Sequence, residues 1–312
     1  MFKRILSLLI MTVIIVYSFA GCGTRSVPKN DKLTVVTTIF APYDFTNQIV
    51  GDKIDVVMLL PPGVESHSYE PTPSDIITIE NADLFLYVSE HTETWVAQII
   101  SSLKNTKVEI SSIADGIGLE IHGHNHDHHA HEHSEDCETD EHIWTNLEYA
   151  VQMVDFIADE ICQADPENAD FYAANAEEYK SKILTLKNDF ETMIAESERK
   201  EIVSGSRFAM KNFINEFGLQ FTAAFDSCVD NTEPSAAVMA KIIDKINDDN
   251  IPVIFYEELT EPKIARAVSL ETGAKMLLLH SCHNVSKAEI EKGETYLSLM
   301  SQNYINLKEA LN

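Results

Sequence analysis

Histidine is the most unevenly distributed reactive side chain in this chain of 312 residues. Seven of the twelve histidines fall within residues 122–133, in the segment HGHNHDHHAHEH, and several carboxylates follow them. Imidazole and carboxylate at this density are typical of segments that hold or pass on a divalent transition metal. The tract offers almost no apolar surface, so we expect a solvated loop; a low-complexity insert or an affinity tag is the alternative. Its histidines are His122, His124, His126, His128, His129, His131 and His133.

Four further histidines lie in loops that follow predicted strands or precede a predicted helix. His67 lies in PPGVESHSYEPTPSD, His142 in DEHIWTN, and His280 and His283 in LLLHSCHN. Each alone is compatible with a solvated loop histidine. Together they occupy the kind of loop where open α/β sheets bind ligands. Three or four neutral imidazoles would suit a tetrahedral Zn²⁺ site.

The elements that must position these histidines follow an α/β pattern at both ends of the chain. Strands are predicted over residues 33–39, 54–60 and 84–88, and again over 201–204, 220–224, 252–256 and 275–279. Helical segments alternate with them, as in parallel sheets covered by helices. The sequence therefore predicts two α/β lobes.

Between the two lobes the sequence predicts one long helix. Asp165, Pro166 and Glu167 form a helix start, and no proline or glycine follows until Gly205. Steps of four and three residues then place one apolar stripe on one side of the helix. A coiled-coil dimerisation helix is the alternative. The stripe consists of Tyr172, Ala176, Tyr179, Ile183, Leu186, Phe190 and Met193.

The amino terminus has the three regions of a secretory signal. Lys3 and Arg4 precede an apolar run over residues 5–16, and Ser-Phe-Ala-Gly-Cys ends at Cys22. This run is short for a bilayer span, although a permanent membrane helix is the alternative. The cysteine directly after Ala-Gly resembles a bacterial lipoprotein signal, which implies lipidation of Cys22 and a tether over residues 22–32.

Charge and motifs exclude several functional classes. Removal of residues 1–21 takes the formal net charge from -27 to -29, which argues against binding to nucleic acid or to anionic lipid by the folded body. The HExxH motif of zinc hydrolases is absent, and His131-Glu132-His133 has the wrong spacing, so we expect a binding protein and not an enzyme. Four cysteines of the exported chain permit up to two disulfides.

The ordered set of motifs resembles the zinc/manganese family of solute-binding proteins of ABC transporters. The set comprises the lipoprotein signal, the PPGxxxHxY-EPxPSD loop, the His-rich acidic insert, HIW, the long helix, TEPS and ETGAK. The resemblance covers essentially the whole mature chain. It implies two lobes joined by one rigid helix, one metal ion in the cleft between them, and delivery to a membrane permease. It also implies that His67 and His142 are the ligands from the amino-terminal lobe, and that the His-rich insert is an accessory loop.

The carboxyl-terminal half of the site departs from this family. Arg207 occupies the position of the family's third histidine, and arginine has no lone pair for a cation. His280 matches the family's fourth ligand, so we expect His280 as third ligand and His283 as fourth, with water, Glu257 or Cys282 as alternatives for the fourth. Arg207 then orients a carboxylate such as Glu257 or Glu258. A disulfide between Cys228 and Cys282 competes with a ligand role for Cys282.

These observations define a domain division and a function. We expect a signal peptide over residues 1–21, a tether over 22–32, an amino-terminal lobe over 33–147 with the His-rich loop at 121–141, a helical segment over 148–199 and a carboxyl-terminal lobe over 200–312. The function expected is capture of Zn²⁺, in preference to Mn²⁺, by a lipid-anchored monomer on the outer face of a bacterial membrane. A surface zinc buffer or adhesin is the alternative, followed by a secreted zinc hydrolase.

Overall fold

The computed structural model describes residues 32–66, 69–104, 107–121, 140–225 and 235–312. Cys22, His67, the seven tract histidines and Cys228 lie outside these ranges, so the predictions about them stay predictions. Residues Leu33–Asn312 form one compact unit. Within the described ranges, no helix has both the length and the apolar character needed to cross a bilayer.

Two parallel sheets of four strands form the centres of two lobes. The strands of the first sheet are β1 (Thr34–Thr37), β2 (Asp55–Met58), β3 (Leu84–Tyr87) and β4 (Glu109–Ser112). Those of the second are β5 (Glu201–Ser204), β6 (Gln220–Ala223), β7 (Val253–Tyr256) and β8 (Lys275–Leu278). The strand orders are β2-β1-β3-β4 and β6-β5-β7-β8. In each sheet the second strand lies on one side of the first and the third strand on the other, so the strand order reverses there. Such switch points open a crevice at the carboxyl ends of the strands, where ligands bind.

The sequence pattern predicted seven of these eight strands. β4 was missed because EISS contains a single apolar residue, Ile110. Its main-chain pairing with β3, in the register Leu84↔Glu109, defines it as an edge strand of the sheet. Edge strands need fewer buried side chains than central ones, so hydrophobicity alone detects them poorly.

Helices cover both sheets, and several of them begin at a side-chain cap. At Thr72, for example, the side-chain oxygen accepts the Asp75 N–H in a capping box, and Pro73 occupies the first helical turn. The helices of the first lobe are α1 (Phe40–Val50), α2 (Pro73–Glu80), α3 (Val96–Ser102) and α4 (Ile113–Gly116). The linking helices are α5 (Leu147–Ala164) and α6 (Ala169–Glu196). Those of the second lobe are α7 (Lys211–Phe217), α8 (Ala236–Asp248), α9 (Lys263–Thr272), α10 (Lys287–Lys292) and α11 (Tyr296–Leu311).

The linking helices confirm the prediction of a long helical segment between the lobes. α6 has 28 residues and, at 1.5 Å per residue, spans roughly 40 Å. A 3₁₀ turn, Pro166–Asn168, forms at the predicted start motif, and the α-helix itself begins directly after it at Ala169. All seven residues of the predicted stripe are buried within the chain. The alternative of a coiled-coil dimerisation helix is therefore wrong.

The main hydrophobic core is shared by both lobes. It runs from Val35 on β1 through the stripe of α6 to Phe255 on β7 and Leu311 at the end of α11. Two smaller clusters lie elsewhere, one built on the first sheet around Phe85 and one on the second. The lobes are thus joined by continuous apolar packing, which holds the loops of their facing edges close together.

Candidate metal centre

His142 is held in one orientation by the carboxylate two residues before it. Asp140 Oδ1 accepts the main-chain N–H of His142 at 3.0 Å and pairs with its ring Nδ1 at 2.7 Å. Nδ1 therefore carries hydrogen, and Nε2 is the nitrogen that can bind a metal. The side chain is fully buried at the start of the 3₁₀ turn Ile143–Thr145.

The protonation of His142 follows from this pairing. Burial lowers the pKa of the ring, but the adjacent Asp140 charge outweighs it and raises the pKa to about 9. Burial likewise opposes ionisation of Asp140, yet the His142 ring keeps the pKa of that carboxyl low. Below pH 9 the metal-free ring is cationic, so a metal ion that binds Nε2 has to displace a proton.

His283 is the second described histidine at this centre. Its ring centroid lies 5.3 Å from that of His142 and 4.9 Å from that of Trp144. Ser66 Oγ lies 3.1 Å from His283 Nδ1, so Nε2 is again the nitrogen for a metal. The structure therefore brings together one predicted ligand from each lobe.

Trp144 supports both histidines. Its ring contacts His142 at 5.4 Å between centroids. The indole N–H donates to the main-chain oxygen of Ser281 at 2.8 Å, and Tyr296 O–H donates to the Trp144 carbonyl at 2.7 Å. This buried indole thus connects the loop of His142 to the loop of His283.

His280 lies in the same loop as His283 but is held differently. Its Nδ1 accepts the Cys282 N–H at 2.9 Å, and its Nε2 lies 3.6 Å from Glu289 Oε1. Asn303 Oδ1 accepts the main-chain N–H of His280, and Asn303 Nδ2 donates to the His280 carbonyl, each at 2.8 Å. These contacts turn the ring toward α10 and α11, whereas the ring that contacts His142 is that of His283.

Acidic residues and Arg207 line a cavity beside His283. Burial, and next the charge of Glu258, raise the pKa of Glu257 to about 8, although His142 and Arg207 act in the opposite direction. The cavity has a volume of about 30 Å³. It is lined by Val64, Glu65, Ser66, Arg207, Glu257, Glu258, Leu259, Thr260, Ser281, His283 and Asn284.

Arg207 and Glu258 each have a contact that was not predicted from the sequence. Arg207 Nη1 lies 3.7 Å from Glu65 Oε1, an ion pair that joins the two lobes across the cavity. Glu258 accepts the main-chain N–H of Ser281 at 2.9 Å and also its hydroxyl. Glu258 therefore braces the loop of His283, whereas Glu257 is the acid whose pKa, although raised overall by burial, is lowered by the charges of both His142 and Arg207.

Cys282 is buried, and it is not bonded to the other cysteine that the structure describes, Cys162. Burial raises the pKa of this thiol, which disfavours the thiolate that a metal would need. Its backbone has φ 58°, an uncommon conformation for a residue other than glycine. Because Cys228 lies outside the described residues, the disulfide between Cys228 and Cys282 stays a prediction.

The described residues supply part of a metal site. Among them, no three histidine, cysteine or acidic side chains are close enough to enclose an ion, and His67 lies outside them. The donor chemistry nevertheless fits zinc, because two buried imidazoles each have Nδ1 engaged by an outer partner. The sequence analysis missed both partners: Asp140 was taken with the acids behind the histidine tract, and Ser66 was read as loop. The position of Asp140, two residues before a predicted ligand, is a signal that could have found it, whereas Ser66 is distant in the chain from His283, and no local spacing pairs them.

Comparison with known proteins gives consistent results. Residues 35–310 match the family described as zinc-uptake complex component A, periplasmic. The high-affinity zinc uptake system protein ZnuA of Bacillus subtilis is 37% identical over 300 residues, which cover 94% of this chain and 93% of that protein. The metal-dependent lipoprotein YcdH of Bacillus subtilis has a crystal structure with a TM-score of 0.77 and 35% identity, covering 90% of this chain and 100% of that one. The laminin-binding protein Lmb of Streptococcus agalactiae, described as bifunctional with adhesin and metal-transporting activity, has a TM-score of 0.75 and 26% identity, with coverage of 90% and 100%.

Proposed function

Because the chain belongs to the ZnuA family of zinc-uptake components, we propose that it captures Zn²⁺ outside the cytoplasm and passes the ion to an ABC-type permease in the membrane. The family is one of transport proteins, and binding with release, without chemical turnover, is the whole of the proposed activity. The observation that carries the proposal is the meeting of His142 and His283, one from each lobe, at 5.3 Å between ring centroids.

The proposed ligands are His67, His142 and His283, with Glu257 or water as the fourth. His67 enters from the sequence alone, since it lies outside the described residues. Support for Glu257 comes from its place in the cavity beside His283 and from the influence of His142 on its pKa. His280 becomes a supporting residue, because its Nδ1 accepts the Cys282 N–H, which places the ring hydrogen on Nε2, and because this Nε2 lies 3.6 Å from Glu289 Oε1. The sequence predicted His280 as the third ligand and His283 as the fourth, whereas here His283 alone of the two is proposed as a ligand.

Zinc binding at this set requires loss of protons. The Asp140 charge raises the pKa of His142 and burial raises the pKa of Glu257, so zinc competes with protons for these donors. A zinc ion that takes these donors releases those protons, and its affinity rises with pH until both groups are deprotonated. Imidazole donors favour Zn²⁺ over Mn²⁺, whose preferred ligands are carboxylate and water oxygens.

Competition with a chelating zinc indicator tests the ligand set. His142→Ala and His283→Ala should each weaken zinc binding by more than about 100-fold, beyond the effect usual for an outer partner. His91→Ala is the matched control, because His91 is exposed and should leave the affinity unchanged. His280→Ala should lower the affinity less than His283→Ala; the opposite order would restore His280 as the ligand.

Lipid anchoring at Cys22 places the proposed receptor on the outer face of the membrane. The proposal rests on the signal with Ala-Gly before Cys22, and a relative of similar structure is named a lipoprotein. Cys22→Ser should release the protein into the soluble extracytoplasmic fraction, with its zinc affinity unchanged. Retention of the variant in the membrane fraction would contradict lipidation at this residue.

A surface zinc buffer or adhesin is the second candidate function. It is favoured by the structural likeness to a laminin-binding protein with adhesin and metal-transporting activity. Deletion of residues 122–136 separates the two functions. A transport receptor keeps one tight zinc site after the deletion, whereas a buffer loses most of its zinc stoichiometry. Loss of binding to immobilised laminin, with the tight site retained, would assign an additional adhesin role.

A further inference from the structure

The loop that carries His283 follows β8 of the second sheet but is bound to the first lobe. The Phe40 N–H, at the start of α1, donates to the His283 carbonyl at 3.1 Å. The Gly63 N–H, in the loop after β2, donates to the Val285 carbonyl at 2.8 Å. Main-chain hydrogen bonds on both sides of Asn284 thus cross from one lobe to the other.

Asn284 completes this connection with its side chain. It is 2% exposed, and its Nδ2 donates to the carbonyls of Pro61 at 2.9 Å and Val64 at 2.8 Å. Its Oδ1 accepts the Val285 N–H at 2.8 Å. Both amide donors and the acceptor are therefore used, and only asparagine has these three groups at this reach.

The connection ends at the His283 ring. Ser66 lies two residues beyond Val64 in the loop that Asn284 holds, and Ser66 Oγ lies 3.1 Å from His283 Nδ1. A ligand histidine depends on such an outer partner for its tautomer and ring angle. If residues 61–66 moved, His283 would lose the contact that presents its Nε2 to the ion.

We propose that Asn284 is a positioning residue for zinc binding: it holds residues 61–66 against the His283 loop, so that Ser66 orients the His283 ring before the ion arrives. The inference rests on the proposed zinc function. In this proposal His283 belongs to the second lobe, and its ring is oriented by a hydrogen bond with Ser66 of the first lobe.

Asn284→Asp tests this role with little change in shape. Aspartate keeps the acceptor for Val285 and loses both donors, and its added negative charge would by itself attract zinc. A weaker affinity is therefore attributable to the lost donors. Asn306→Asp is the matched control, because Asn306 Nδ2 donates at 2.8 Å to the Leu278 carbonyl within the second lobe.

Two measurements are made on each variant of the full chain: zinc affinity by indicator competition, and hydrogen exchange of the Gly63 amide in the metal-free protein. Asn284→Asp should weaken zinc binding about 10–100-fold and accelerate Gly63 exchange, while Asn306→Asp changes neither. Ser66→Ala should weaken zinc binding to a similar degree, and it keeps the test decisive if Asn284→Asp does not fold.

The outcomes separate this proposal from the function on which it rests. Wild-type zinc affinity in both Asn284→Asp and Ser66→Ala, with the wild-type chain binding zinc, overturns the positioning role alone. An equal loss in Asn306→Asp also overturns it, because the effect would then be one of general stability. Failure of the wild-type chain to bind zinc overturns the proposed function and the positioning role together.

Discussion

Single residues orient the two histidines of the proposed zinc site. Asp140 fixes Nδ1 of His142 at 2.7 Å, and Ser66 lies 3.1 Å from Nδ1 of His283. The two outer partners differ in charge, and the negative charge of Asp140 raises the pKa of His142 to about 9. The first ring must lose a proton to zinc, whereas the second is oriented by a neutral hydroxyl.

The Asp140–His142 pair should make the stability of the metal-free protein depend on pH. The pKa of His142 is about 9 in the fold and 6.5 in the unfolded chain, so the folded state binds the proton more tightly. Its stabilisation is fully present below pH 6.5 and is lost as pH rises through 9. Urea unfolding of chelator-treated protein should show a decline of up to about 3 kcal/mol over this range.

Asp140→Asn is the control for that decline. Without the carboxylate the pKa of His142 falls, and this contribution to the slope disappears between pH 6.5 and 9. Other buried acids keep their own pH dependence in both proteins, so the comparison isolates the pair. Parallel stability curves for the wild type and the variant would contradict the assignment.

Arg207 should lower zinc affinity through its charge. It lines the cavity together with Glu257 and His283, and it carries the cation of an ion pair with Glu65. Arg207→Gln should raise zinc affinity by about tenfold, equivalent to ~1.4 kcal/mol, since one cation leaves the site. Arg207→His should bind zinc more tightly than Arg207→Gln if the side chain at this position faces the ion. Equal affinities in the two variants, measured by indicator competition, would exclude a ligand role here.

At the scale of elements, α6 forms the rigid connection between the lobes. One face of this helix is buried along its whole length, with Ile183 fully buried, while the adjacent Leu184 is 39% exposed. Its stability therefore comes from tertiary packing, since charged and polar residues dominate its outer face. The helix also joins α1 directly, because Tyr179 O–H donates to Asp44 at 2.8 Å.

Paired substitutions on α6 should separate its two faces. Ile183→Ala should cost about 2–5 kcal/mol in the free energy of unfolding, because it opens a cavity in the shared core. Leu184→Ala should stay within about 0.5 kcal/mol, since its side chain is largely solvated. Urea denaturation of both variants measures the difference. Similar losses in the two would mean that the helix does not bury the face assigned to it.

At the scale of the whole molecule, the two lobes share one hydrophobic core. This cluster runs from Val35 to Leu311 and includes the linking helices. The main-chain bonds of Phe40 and Gly63 to the loop of His283 add a second connection at the metal centre. The lobes therefore cannot separate without exposing core side chains and breaking buried hydrogen bonds.

Metal removal should change the stability of this unit without dividing it. Calorimetry of the chelator-treated protein should show one unfolding transition for both lobes, because they share a core. Zinc at 1,000 times its dissociation constant should add about 4 kcal/mol to the free energy of unfolding. Two separate transitions, or a shift caused by zinc in only one of them, would contradict a single cooperative unit.

The sequence by itself determined the two α/β lobes, the long helix and the chemical class of the site. Hydrophobic periodicity records which face of an element is buried, so the stripe of α6 was predicted residue by residue, whereas the edge strand β4 left too little apolar signal. Only the tertiary structure showed that His280 and His283 have different surroundings. They lie three residues apart in one loop, and chain spacing does not encode which ring turns toward α10 and which meets His142. That choice depends on Ser66, Trp144 and Asn284, whose partners are distant in the chain and adjacent only after folding.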